Sequence, residues 1–410
     1  MSSRFIYSRL YPNAFWTNLS FYKDVIESKF LNHNWQQRET LDATKIVRLA
    51  TNSTQFWSDF REALTKSTMS VKVTPYIASL IDWNDPYNCP IRKQFIPVQS
   101  TAEPDHPMMK LDSLNEQRDS PVSGLIHRYP DKVLFLTTSL CPVYCRFCTR
   151  SYSIGTNTET VNKIKFIPGK SRFDKIFEYI EEHDEIEDIV ISGGDVYLLP
   201  GYLLLNLGKR LLDIEHVRRI RCATKGLSVM PMKILSDHAW FQSLVTLSQL
   251  AREQSKSFAI HTHINHPNEI TYVTKNAADK LFQNNIHVRN QTVLLRGIND
   301  DFKTMYELIK YLSYINIQPY YVYLHDMVSG AEEFRTTLGL AIELEKELRG
   351  STAGFNMPQF IVDLPDGGGK RLVSSFETYD RHTGISTFRS PRIRNRSKSD
   401  FFFYFDPVCE

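Results

Sequence analysis

No apolar run in this 410-residue chain approaches the ~20 residues needed to cross a bilayer, so no helical membrane span is expected. Charge of one sign is equally scarce. Lys and Arg number 49 against 46 Asp and Glu, and the net +3 points neither to nucleic acid nor to a membrane surface. The basic stretch Arg389, Arg392, Arg394, Arg396 and Lys398 is read as a solvated segment. Six cysteines are too few and too uneven for a disulfide framework: Cys141, Cys145 and Cys148 fall together, while Cys89, Cys222 and Cys409 are scattered. Such usage suits a reducing compartment, and the cytoplasm is expected. Acids are missing from the first twenty-three residues, which hold Arg4, Arg9 and Lys23, so a mitochondrial presequence is the alternative.

With 42% hydrophobic and 23% charged residues the chain is long enough for one large domain with additions, or for two. Four stretches are expected: a leader (1–19), a helical region and connector (20–120), a barrel (121–350) and a C-terminal extension (351–410). Apolar residues at helical spacing around Trp35, Ile46, Leu49, Phe56, Trp57 and Leu64 mark the helical region. Seven prolines between residues 82 and 130 then rule out a continuous regular element. From Val133 strands alternate with amphipathic stretches: VLFLTTS, DIVISGG, RIRCATK, SFAIHTHI, HVRNQTVLL and PYYVYLH. Six strands separated by helices predict a parallel α/β barrel, and six rather than eight predict an incomplete (β/α)6 one. Polar residues gather at the strand C-terminal ends, where such barrels place their active sites. The extension is expected to close the barrel mouth.

The run TSLCPVYCRFCTR holds C-x3-C-x2-C directly after the first strand. Three thiolates on one tight loop can hold three irons of a [4Fe–4S] cluster and leave the fourth open to a ligand. A structural zinc loop is the competing use of such cysteines, but zinc takes four protein ligands and no fourth cysteine lies nearby. With Phe147 before the third cysteine, the run resembles the cluster loop of radical S-adenosylmethionine (SAM) enzymes, which implies SAM at the open iron and a 5′-deoxyadenosyl radical. Ser192, Gly193, Gly194 and Asp195 end the second strand. A plain βα turn would use the same glycines, but by the radical SAM resemblance this position binds the methionine part of SAM. Lys370 follows three glycines in IVDLPDGGGK. A lysine on a mobile glycine loop suits a Schiff base with a cofactor aldehyde, and an exposed turn lysine is the alternative.

Taken together, HRYPDKVLFLTTSLCPVYCRFCTR, ISGGD, THINHPNEIT, NQTVLLRGIND, PYYVYLHD and FIVDLPDGGGK closely resemble the lysine 2,3-aminomutase family, in the same order and at similar spacing. The resemblance runs from about residue 20 to 375. It implies pyridoxal 5′-phosphate (PLP) beside the cluster and SAM, a partial radical SAM barrel, and a C-terminal extension carrying Lys370 as the PLP lysine. By the same resemblance Arg150 holds the amino-acid carboxylate, Arg128 is an arginine of the PLP site, and Gln291 reaches into the cofactor pocket. Asp326 and Asp363 would take the side-chain ammonium of lysine, a pair that glutamate-specific relatives lack. Three departures stand out: Asp366 replaces the first glycine of the loop, Lys132 replaces an arginine, and Arg289 stands where a glycine is frequent. With only Cys409 near the C-terminus, no zinc is expected and homo-oligomer assembly stays open. The implied activity is an isomerase converting L-lysine to β-lysine, with an amino-acid substrate and a cluster reductant as partners. The alternatives are the same chemistry on another amino acid and a non-catalytic iron–sulfur protein.

Overall fold

The computed structural model describes residues 10–11, 13–47, 54–397 and 399–408. Most of the expected leader, Leu49, Lys398 and Cys409 lie outside the described residues. Nine strands form one sheet whose spatial order follows the chain. They are β1 (Leu125–Tyr129), β2 (Lys132–Thr138), β3 (Asp188–Gly193), β4 (Arg219–Thr224), β5 (Ser257–Thr262), β6 (His287–Leu294), β7 (Gln318–Leu324), β8 (Gln359–Leu364) and β9 (Gly369–Leu372). Pairing is parallel from β2 to β8, and β1 and β9 add antiparallel edges at the two ends. β1 and β9 do not pair, so the barrel is incomplete.

Six helices make the crossovers: α1 (Lys170–Glu181), α2 (Gly201–Asp213), α3 (His238–Glu253), α4 (Tyr272–Gln283), α5 (Phe302–Tyr314) and α6 (Leu338–Leu348). Their starts follow capping chemistry. Asp237 accepts from Trp240 N at the head of α3, and Asp301 from Thr304 N at the head of α5. The six strand–helix units agree with the expected (β/α)6 barrel. The seventh parallel strand, β8, is not among the six predicted strands and lies in the stretch assigned to the C-terminal extension.

β6 shows how sequence sets the two faces of the sheet. Val288, Asn290, Thr292 and Leu294 alternate as buried residues, while His287 is exposed and Arg289, Gln291 and Val293 are partly exposed. Gln291 and Val293 line the barrel cavity, which assigns the second set to the inside.

The N-terminal region breaks into short helices rather than long ones, because Asn32 and Asp42 each cap a new start. The longest, Thr54–Lys66, buries Phe56, Trp57, Phe60 and Ala63 on one face. At the other end, β10 (Thr378–Asp380), β11 (Ile385–Arg389) and β12 (Phe401–Phe405) form a separate antiparallel sheet. It docks on the barrel through the Tyr404 hydroxyl, which donates to His325 O at 3.0 Å. Among the described residues no helix is long and apolar enough to cross a membrane.

Candidate active site

A cavity of about 310 Å³ opens at the C-terminal ends of the parallel strands. Cys141, Cys145, Cys148, Arg150, Ser192, Gly193, Gly194, Asp195, Gln291, Asp326, Asp363 and Lys370 all line it, drawn from five strand ends and the cysteine loop. Of the site residues singled out in sequence, Arg128 alone does not.

The loop after β2 is anchored on both sides. Tyr144 N donates to Lys72 O and Arg146 N to Gln94 O, each at 3.0 Å, and the buried Arg146 guanidinium pairs with Glu333. All three cysteines are free thiols. Burial pushes each thiol pKa up, that of Cys145 to about 12; Cys145 and Cys148 add to the rise at Cys141, and Cys148 to that at Cys145. Opposing cations lie close: Lys72 to Cys141, Lys225 to Cys145, and Arg150 with Lys163 to Cys148. Buried thiols with adjacent cations ionise once a metal takes the sulfur, so the donor set fits an iron cluster. Among the described residues no three His, Cys, Asp or Glu are gathered tightly enough for a single ion. A cluster instead gives each thiolate its own iron.

The two glycines after β3 are needed by the chain itself. A Cβ on Gly194 would collide with the Leu140 backbone, and one on Gly193 with the Thr138 carbonyl, at a φ of +121°. The close approach expected toward a ligand is therefore made by the β3 end against the start of the cysteine loop. Asp195 is also engaged internally, accepting from Tyr197 N at 2.9 Å and Lys225 N at 2.8 Å. Burial still raises its pKa to about 6.

Lys370 and Asp363 face each other across the β8–β9 ladder, and Lys370 Nζ donates to Asp363 Oδ2 at 2.5 Å. The Tyr129 and Tyr323 rings flank the ammonium at 5.8 and 5.7 Å. The carboxylate and the two phenols hold the Lys370 pKa above its ordinary value. The glycine turn is held rather than free. A Cβ on Gly368 would strike Phe402 of β12, and one on Gly369 would meet Pro391. Asp366 takes the left-handed conformation otherwise left to glycine, at φ 57°, and pairs with Lys110 at 2.7 Å.

Asp326 follows β7, and its Oδ2 accepts from the Thr149 hydroxyl at 2.5 Å. Its Oδ1 and that of Asp363 are buried without partners among the described residues. Burial, reinforced by the neighbouring Asp363, raises the Asp326 pKa to about 7. Other orphaned polar atoms on residues of this cavity are both His261 ring nitrogens, Thr262 Oγ1 and His325 Nε2. Unsatisfied buried groups facing one space are the mark of a ligand site.

Arg150 is not a surface arginine. Its Nε and Nη2 grip the buried Glu116 at 2.8 and 2.7 Å, and the Tyr152 hydroxyl donates to the same carboxylate. Among the described residues nothing bonds its Nη1. Arg128 has Nε on Asp119 at 2.7 Å and Nη2 on Leu114 O at 2.6 Å, and among the described residues nothing bonds its Nη1 either. Those two acceptors are also the nearest neighbours of Gly367, so Arg128 fixes the floor under the lysine turn. Glu116, Thr149, His261, His325 and the buried Lys225–Glu269 pair were not singled out in sequence. Thr149 had a signal in its place between Cys148 and Arg150, as did His325 beside Asp326 and Glu269 in THINHPNEIT.

The Radical SAM superfamily model matches residues 135–309, from within β2 into α5. The chain is 36% identical over 362 residues to the L-lysine 2,3-aminomutase of Fusobacterium nucleatum, covering 87% of this chain and 79% of that one. Against the L-lysine 2,3-aminomutase of Clostridium subterminale it is 36% identical over 352 residues, covering 86% and 80%. The chain belongs to the L-lysine 2,3-aminomutase family. The glutamate 2,3-aminomutase of Clostridioides difficile is a relative too, 32% identical over 345 residues, covering 84% and 76%. As a member of this family the protein is an isomerase, a radical SAM aminomutase. The radical SAM domain implies a [4Fe–4S] cluster, SAM, a substrate and a reductant.

Proposed function

We propose that this aminomutase moves the α-amino group of L-lysine to the β-carbon, with PLP anchored by Lys370. The observation that carries the proposal is the pair of buried, unpartnered oxygens on Asp326 and Asp363 in the cavity that also holds Lys370. A buried carboxylate is stable only with a cation beside it, and the side-chain ammonium of lysine is such a cation. In the cofactor-free chain Lys370 itself occupies Asp363 Oδ2. Its engagement with PLP releases that oxygen to the substrate.

On this model Cys141, Cys145 and Cys148 hold the cluster, and Ser192, Gly193, Gly194 and Asp195 form the SAM side of the cavity. Bound PLP supplies stabilisation for the unpaired electron while nitrogen migrates. Arg150, oriented by Glu116, directs Nη1 at the amino-acid carboxylate, a geometry suited to a guanidinium. Asp326 and Asp363 hold the distal ammonium, and Asp363 keeps the Lys370 proton when the site is empty. Gln291 contributes a polar contact from β6, and Arg128 acts by supporting the lysine turn. Residues 351–410 form the PLP-binding extension, and the protein works in the cytoplasm. Glutamate is disfavoured, since its side-chain carboxylate would face Asp326 and Asp363.

The test is borohydride reduction of the PLP-loaded protein with peptide mapping, followed by kcat/KM for lysine and glutamate. Pyridoxyl label on Lys370 and a preference for lysine are expected. Label on another lysine, or a preference for glutamate, refutes the assignment.

A further inference from the structure

None of the roles above uses Arg289, which enters the barrel from β6 two residues before Gln291. It is partly exposed on the inner face and lies over the Tyr320 ring at 5.8 Å. Among the described residues it makes no ion pair. The other cations of the inner wall are neutralised: Arg221 bonds Asp188 at 2.8 Å, Lys132 bonds Asp131 at 2.9 Å, and Lys370 bonds Asp363. Arg289 is thus a cation of this wall that no acid among the described residues pairs.

A second observation comes from β5. His261, the register partner of Arg289, is 4% exposed, lines the cavity, and has neither ring nitrogen bonded among the described residues. Its ring sits 5.3 Å from that of Tyr320, so Tyr320 lies beside both groups. Burial and the nearby Arg221 and Arg289 push its pKa down to about 3, leaving a neutral imidazole with one N–H to donate. The Tyr320 hydroxyl donates to that of Tyr321 at 2.8 Å, and the pair keeps one further hydroxyl proton. A guanidinium, an imidazole N–H and a phenol proton are all donors, and a donor set that includes such a cation calls for an anion rich in acceptors. Arg128, expected from sequence to serve the PLP site, bonds Asp119 and Leu114 O and does not line the cavity.

We propose that Arg289, with His261 and the Tyr320–Tyr321 hydroxyls, forms an anion subsite in the barrel wall that takes the phosphate monoester of PLP. This rests on the assignment of PLP to Lys370. The same donors would also accept a substrate carboxylate, and the experiment separates the two sources.

Cluster-reconstituted protein, prepared without PLP, is titrated with PLP and with pyridoxal, which lacks the phosphate, in wild type, Arg289→Gln and Arg289→Lys. Losing a charge-assisted contact should weaken PLP roughly 10- to 100-fold in Arg289→Gln and leave pyridoxal within about twofold, with Arg289→Lys in between. Inorganic phosphate should compete with PLP in wild type and lose that effect in Arg289→Gln. Because the PLP-to-pyridoxal ratio is read within one sample, a general loss of folded protein does not mimic the result. Equal weakening of both ligands, or of neither, overturns the proposal. So does a raised lysine KM with an unchanged ratio, which would assign the anion to the substrate. Wild type that binds neither ligand removes the PLP assignment itself, and this proposal with it.

Discussion

Replacing Asp326 by Asn should trade stability against activity in a way that a merely structural aspartate would not. Asn keeps the shape and one acceptor for the Thr149 hydroxyl, but it removes the charge. In the empty cavity that charge is unfavourable: burial and Asp363 raise the Asp326 pKa from 3.8 to about 7. A group whose folded pKa is raised binds its proton more tightly in the folded state. Its favourable contribution is therefore full below about pH 4 and lost as pH climbs toward 7. Asp326→Asn should accordingly raise Tm at pH 8, where the wild-type carboxylate is ionised, and leave it little changed near pH 4. With lysine bound the sign reverses, since the ammonium loses one partner of a desolvated pair. Breaking such a pair costs ~3–5 kcal/mol, which is reduced here because the carboxylate no longer has to be ionised in the cavity. The net expectation is a fall in kcat/KM for lysine of roughly 100- to 1000-fold, with adenosyl chemistry still possible. Thermal melts at the two pH values and steady-state kinetics on the reconstituted enzyme provide the assay. Unchanged lysine kinetics, or a Tm that falls at pH 8, would refute the reasoning.

Alanine at Cys141, Cys145 or Cys148 should remove most iron and all SAM cleavage, whereas Cys89→Ala and Cys222→Ala should retain both; iron analysis and 5′-deoxyadenosine assays check this. Gly194→Ala drives a methyl into the Leu140 backbone, so iron loading should drop although no ligand is lost. Lys370→Ala should abolish PLP binding and lower Tm by leaving Asp363 without its cation, while adding Asp363→Asn should restore Tm but not PLP binding, read by melting and cofactor absorbance. Glu116→Gln frees Arg150 from its buried anchor, and a rise in lysine KM larger than any fall in kcat is expected.

The cysteine loop and the lysine turn were legible in sequence because their chemistry depends on short spacings that survive as strings. The barrel was legible from its alternation of strands and helices, and six of its parallel strands were read within one or two residues. β8 was not, because it runs straight into the Pro-Asp-Gly turn and reads with the glycine segment that follows it. Partners set by tertiary contact left no local signal. Glu116 lies 34 residues before the Arg150 it anchors, and Asp119 meets Arg128 only because the connector folds back on β1. The glycines at 193 and 194 were noticed for a different reason than the structure supplies: their missing side chains make room for the chain's own loop. Arg128 and Asp195 also hold internal partners, Asp119 and the Tyr197 and Lys225 amides, that no local pattern announced.

The most direct measurement is anaerobic turnover of lysine by protein reconstituted with iron, sulfide, SAM, PLP and a reductant, with the amino-acid product identified by mass spectrometry against standards. The proposed function predicts β-lysine, formed without net consumption of SAM and only when PLP is present. Lysine recovered unchanged while another amino acid is isomerised would contradict the assignment of Asp326 and Asp363 to a side-chain ammonium, and β-lysine formed equally well without PLP would contradict the role of Lys370.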